Sequence, residues 1–297
     1  MRHIARTLVP LLFSLVLVAG CVSALPATVS AAQVPSSPAL TSLLVAVRQT
    51  LAQTAAFRVR VTGGSLLGSA VPAVTGGGSF DFPAQRGEVT LAASGPQRTA
   101  EAIFTPSVLY VRAPWPSGYL PPGRSWLAIE VANAAAPARN LPAVAGQIDA
   151  VDPDLALREL AWGAVATAGS SAAMLGGRRV QRLNVMVDLA RALRGVSGPS
   201  RNAYAAALES QLAALDGGGR STAPQVAFHA FLTQEGQLLG LEVAPPVAGA
   251  GGVSMTFGNA GITVRALAPP AGRVADLSAL APSGTGRNPD RSGPDGG

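Results

Sequence analysis

Between Ser37 and Thr62 the apolar residues change their period, and this limits the chain to a fold that mixes helix with sheet. Ser37 can cap a helix that opens with Pro38 at its first position. Leu40, Leu43, Leu44, Val47 and Leu51 then recur at helical spacing, with Ser42, Arg48, Gln49 and Gln53 on the other side. Immediately afterwards Phe57, Val59 and Val61 alternate with Arg58, Arg60 and Thr62. The period has become 2, so a strand with one apolar face follows the helix directly.

Alternation continues downstream. Ser79–Phe82 and Glu88–Leu91 read as strands around a turn near Arg86-Gly87, and Thr99–Thr105 and Ser107–Arg112 flank Pro106. Trp126–Val131 follows a Pro-rich loop, and Ala132–Ala150 reads as an Ala/Pro-rich loop. Short strands with frequent turn signals predict an antiparallel meander. Asp152-Pro153 opens a second helix with Leu157, Leu160 and Ala161 on one face, which Gly163 ends. Val180–Leu189 is a further strand, and Arg201–Leu215 a third helix with Tyr204, Leu208, Leu212 and Leu215 as its stripe. Gln225–Leu232, Gln237–Val243, Val253–Phe257 and Ile262–Ala266 read as strands, and Val274–Leu280 as a closing helix.

The N-terminal region reads as an address. Arg2, His3 and Arg6 precede the apolar run Leu8–Val18, which is shorter than the roughly 20 residues a membrane span needs. Ala19-Gly20 before Cys21 looks like a bacterial lipobox, in which the cysteine thiol is alkylated by a diacylglycerol and becomes the new N-terminus. The expected organisation is a signal peptide at 1–20, a lipidated N-terminus and tether at 21–38, a folded domain at 39–281 and a disordered tail at 282–297. Fully extended, the tether reaches about 50 Å. The expected location is the extracytoplasmic face of the cell membrane.

Composition removes several classes of function. Only 13% of residues are charged and every basic residue is an arginine. The formal charge of +6 includes Arg2 and Arg6, and the remaining arginines are scattered, with Arg178, Arg179 and Arg182 the densest group. Nucleic-acid binders cluster their cations and interleave aromatics, so a nucleic-acid partner is not expected. One cysteine allows no intramolecular disulfide. Without lysine there is no Walker A motif, Schiff base or Ser-x-x-Lys nucleophile. Beyond the signal segment the only histidine is His229, which with one tethered cysteine cannot make a usual zinc site. Asp152 and Asp154 could form a catalytic or metal pair, but helix capping explains them more simply. The runs Gly76–Gly78 and Gly217–Gly219 lack phosphate-loop spacing and read as turns. No cofactor, no metal and no enzymatic activity are expected.

Several segments carry a resemblance. They are Val108-Leu-Tyr-Val-Arg112 followed by Trp126; Asp152-Pro153 before a Leu-rich helix; and Gly176–Leu189 ending in Val187-Asp188-Leu189. The Glu235-Gly236 turn and the run Gly261–Leu277, with Pro269-Pro270 and Asp276-Leu277, belong with them. Together they resemble the LppX/LprAFG-type lipoproteins of actinobacteria, similar in fold to the LolA/LolB lipoprotein carriers, over about residues 39–281. The resemblance implies an α+β fold: a strongly curved antiparallel sheet, a half-barrel, covered on its concave face by a few helices. It also implies an apolar cavity for lipid or lipoglycan acyl chains carried across the envelope, with the membrane reached through Cys21 and an envelope transporter as a handover partner. Phe57, Val59, Val61, Phe80, Phe82, Val89, Leu91, Leu127, Ile129 and Val131 are the candidates for its lining. For each of them the alternative is plain packing between sheet and helix. The competing function is a non-catalytic sensor or scaffold of the same fold that binds a protein partner; an envelope enzyme using two converging carboxylates stands third.

Overall fold

The computed structural model describes residues 37–277 apart from 63, 67–68, 72, 94–98, 116–117, 131–150, 198–200, 217–224 and 244–251. Helix α1 spans Pro38–Leu51, and the Ser37 hydroxyl accepts from the Leu40 amide at 3.2 Å, as its capping position requires. Its buried side is Leu40, Leu43, Ala46, Val47 and Thr50, so the seam is rotated slightly from the expected stripe, and Leu44 and Leu51 sit at its margin.

Strand β1 (Thr54–Val61) leads into a small ribbon of β2 (Gly64–Leu66) and β3 (Ser69–Val71). A meander follows: β4 (Val74–Asp81), β5 (Arg86–Ala93), β6 (Thr99–Phe104), β7 (Val108–Arg112) and β8 (Trp126–Glu130). Helix α2 (Pro153–Gly163) precedes β9 (Ala164–Leu175), β10 (Arg178–Asp188), α3 (Leu189–Gly195) and α4 (Arg201–Asp216). Strands β11 (Gln225–Leu232), β12 (Leu238–Val243), β13 (Val253–Gly258) and β14 (Val274–Asp276) complete the order. Twelve strands form one open sheet in the order β14-β8-β7-β6-β5-β4-β1-β13-β12-β11-β10-β9. Every pair is antiparallel except β14 with β8, which is parallel. The sheet is therefore antiparallel, as expected, except at its β14 edge.

The alternation sorts the faces as expected. In β1 and β5 Phe57, Val59, Val61, Val89 and Leu91 are buried and Arg58, Arg60, Glu88 and Thr90 are exposed. One contiguous core joins this apolar face to the helices. The main helix contacts fall on β1 and on β9–β12.

Four expectations are corrected. Gly76–Gly78 form no turn: they lie inside β4, paired with β1 and β5. A Cβ on Gly78 would stand 1.8 Å from the Glu88 carbonyl oxygen, and one on Gly76 2.2 Å from that of Thr90. Strand β5 thus crowds the inner side of β4, which marks a sharp bend that only glycine permits. The turn itself is at 82–85, and Arg86-Gly87 already begin β5.

Ile262–Ala266 joins no ladder among the described residues. Val264 and Ala266 are buried in alternation, but β4 and β13 already occupy both edges of β1, so this segment has no edge left there. Val274–Asp276 is a strand rather than the start of a helix, because the outer edge of β8 is open and takes it. Strand β9 and helix α3 are additions to the sequence reading; Asp188 caps α3 by accepting from the Arg191 amide at 2.9 Å. The signal peptide, the tether up to residue 36, the Ala132–Ala150 loop, the Gly217–Gly219 stop and the C-terminal tail lie outside the described residues, while Ser37 and Pro38 open α1.

Candidate functional site

Nine of the ten candidate lining residues fall on the apolar face and in the single core; Val131 lies outside the described residues. Their exposure is at most 6%, so their side chains pack against protein. Neighbouring strands extend the same surface with Phe104, Leu109, Val111, Met255 and Phe257. The rings form a row: Phe80 lies 5.0 Å from Phe82 and 5.9 Å from Phe104, and Phe82 meets Phe257 edge-on at 6.4 Å. Such pairs add about 0.5–1.5 kcal/mol each beyond the area they bury.

Helix α4 is fastened to α2 and to the β4–β5 turn by polar side chains. The Tyr204 hydroxyl donates to Asp154 Oδ2 of α2, and Gln85 Nε2, from the β4–β5 turn, donates to the Tyr204 oxygen at 3.1 Å. Arg158 Nε, one helical turn on from Asp154, donates to the same Oδ2 at 2.9 Å. The guanidinium lies 5.4 Å from the Tyr204 ring and 5.9 Å from that of Trp162. Burial holds the Asp154 carboxyl above the usual carboxylate range, against the Arg158 hydrogen bond and charge, which pull it down. Burial, with Asp154 beside it, also raises the Tyr204 hydroxyl, so Tyr204 stays a donor. Gln85 sits at φ 51°, a left-handed conformation that strains a residue with a Cβ. Its hydrogen bond to Tyr204 offsets that strain.

The two aspartates that could be paired thus divide their tasks. Asp152 caps α2, accepting from the amides of Asp154 at 2.9 Å and Leu155 at 3.3 Å. Asp154 is the centre of the network. Tyr204 was legible only as part of an apolar stripe, and Gln85 carried no signal, since nothing local marks a turn residue that meets a helix far along the chain. His229 points away from the core, in register between Asn184 and Glu242, and burial pushes its pKa down.

A second fastening joins Gln211 Nε2 of α4 to Glu159 Oε1 of α2 at 2.6 Å. Complete burial raises the Glu159 pKa from 4.5 to about 7. The folded state therefore holds this proton more tightly than the unfolded one. Stability from this group is full below pH 4.5, falls as pH rises toward 7 and stays low beyond. Glu159→Gln is expected to flatten that slope and to raise stability at pH 8 by about 2–3 kcal/mol. Urea unfolding of both proteins at pH 5 and pH 8 checks it; equal slopes would refute it.

Among solved structures the chain is similar in fold to several, all at low identity. LppX of Mycobacterium tuberculosis shares 14% identity over 78% of this chain and 100% of its own, with a TM-score of 0.43. LprF of Mycobacterium bovis shares 12% over 78% of this chain and 98% of its own, with a TM-score of 0.41. A LolA-superfamily protein of Nitrosomonas europaea shares 8% over 77% and 94%, with a TM-score of 0.30. No family model and no curated protein sequence matches the chain.

Proposed function

We propose that this protein is a membrane-anchored lipoprotein that holds acyl chains of a lipid or lipoglycan against the apolar face of its sheet and carries them across the envelope. The observation that carries this reading is a broad apolar sheet face that shares one core with the helices. With the nine candidate residues closed to water, acyl chains enter only when sheet and helices part along this core. Each CH₂ transferred to such a surface contributes about 0.8 kcal/mol, so one acyl chain supplies ample affinity without polar chemistry. Cys21 supplies the anchor. Among the described residues no helix is long and apolar enough to cross a membrane.

Native mass spectrometry of the full chain, expressed in a lipid-rich actinobacterial host, tests the reading. Co-purifying masses of acylated lipids are expected, and Val59→Asp or Leu91→Asp should abolish them. The low exposure of the candidate residues favours a second reading, a sensor or scaffold with a filled core that binds a protein partner. A protein that carries no lipid and takes up no fluorescent lipid when offered would decide for that one.

A further inference from the structure

At one end of the sheet the β7–β8 loop brings aromatic and cationic side chains to the surface, with Trp115 and Leu120 packed by one side against the core. Residues 113–125 contain no acid, and an arginine stands at each end of the run, Arg112 and Arg124. Pro114, Pro121 and Pro122 stiffen the backbone between them. The Trp115 indole donates to the Ser125 carbonyl at 3.3 Å, and its ring stacks on Tyr119 at 5.1 Å with 3° between the planes. Trp115, Tyr119 and Leu120 remain only half-buried.

Both guanidiniums are held in place. Arg112 pairs with Glu101 and lies 5.1 Å above the Trp126 ring, while Arg124 Nη1 donates to the Ala271 carbonyl at 2.6 Å. Each spends one of its five N–H donors on the acceptor named and keeps others for a ligand. Between them lies a surface pocket of about 380 Å³, to which Ser125 and the Trp115 ring also contribute. Exposed Arg273, whose carbonyl accepts from the Ser125 amide at 3.0 Å, adds a third cation to this end of the sheet. Leu267, 74% exposed, lies four residues before Ala271, hence within about 14 Å of it along an extended chain.

Tryptophan, tyrosine and arginine around a small pocket match the interface of an anionic bilayer. Amphipathic rings settle at headgroup depth, and each arginine near an anionic surface contributes about 1 kcal/mol. Glu101 offsets the charge of Arg112, so Arg124 and Arg273 carry the positive excess of this rim. We propose that the β7–β8 loop is a membrane-docking surface, with Trp115, Tyr119 and Leu120 in the interface and the pocket between Arg112 and Arg124 seating the phosphate of an anionic phospholipid. This rests on the membrane-anchored reading, because the anchor keeps the domain within reach of the bilayer. Docking then orients the domain by two contacts, the tether and this loop.

The test uses the full chain reconstituted into vesicles whose lipids carry brominated acyl chains. One set is phosphatidylcholine alone, and the other adds phosphatidylglycerol as the anionic component. The Trp115 signal is the emission difference between the parent and Trp115→Phe, which removes the background of Trp126 and Trp162. Quenching of that signal is expected only with phosphatidylglycerol. Arg112→Gln and Arg124→Gln should each lower the ratio of docked to undocked protein about five-fold. Equal quenching in both lipids, or none in either, overturns the proposal. Arg124 is exposed, so Arg124→Gln with an unchanged circular-dichroism spectrum decides the matter even if Arg112→Gln disturbs the sheet. Cargo and anchor are read separately, from co-purifying lipid masses and from the mass of the processed N-terminus, so a failure there is distinct from a failure of docking.

Discussion

Gly78→Ala is expected to destabilise the protein by at least about 3 kcal/mol, a large part of the roughly 5–15 kcal/mol that holds a domain folded. The new methyl would sit 1.8 Å from the Glu88 carbonyl oxygen, 2.8 Å from its carbon and 2.9 Å from Val89 Cα. All three are backbone atoms of β5, so no rotamer change relieves the clash and the strand itself must shift. Gly76→Ala meets the Thr90 carbonyl at 2.2 Å and should behave alike, whereas Gly272→Ala meets nothing within 4 Å and serves as the control. Urea denaturation of the three variants checks the argument. A Gly78→Ala protein as stable as the control would mean that β4 and β5 are not bent against each other as described.

Asp154→Ala is expected to cost about 3–5 kcal/mol, because it leaves the partly buried Arg158 guanidinium without its counter-charge and Tyr204 without its acceptor. Tyr204→Phe keeps the ion pair but loses two hydrogen bonds, the one to Asp154 and the one from Gln85, so about 2–3 kcal/mol is expected there. If this network helps to keep sheet and helices together, Tyr204→Phe should also speed uptake of a fluorescent fatty acid while leaving most of the stability in place. Equilibrium unfolding and stopped-flow uptake measure the two effects independently. A negligible loss for Asp154→Ala would show that the network does not hold α4.

Much of this architecture is written in local patterns. Helix α1 and its cap, the alternation of β1, the cap of α2 and the bounds of β11 can each be read from a dozen residues, because a period and a cap are decided by neighbours in sequence. Strand β9 could not be read this way. Its residues, Ala164 to Leu175, are small and poor in β-branched side chains, and it is a strand because β10 folds back onto it through Gly176-Gly177. Both glycines have positive φ, 56° and 79°, which suits a two-residue hairpin turn, so that pair was the available signal. Gly76–Gly78 misled for the opposite reason: glycine means a turn locally, whereas here it answers the approach of β5. The apolar face was legible residue by residue. The polar fastening of α4 was not, since it joins positions 85, 154 and 204, which only the tertiary fold brings together.

The order of strands bears on when this chain can fold. Strands β1 and β4–β8 form one sequential run, and β9–β13 another. The two runs meet along one seam, where β1 pairs with β13 and Ala56 lies opposite Gly258. Residues so far apart in the chain meet only after a long loop closes, which makes sheets of this kind slow to assemble. A ribosome-bound fragment that ends before β13 leaves one edge of β1 bare. On the proposed export of this chain, that delay is useful, because the seam cannot zip until β13 has emerged and the unfolded chain remains fit to be threaded across a membrane.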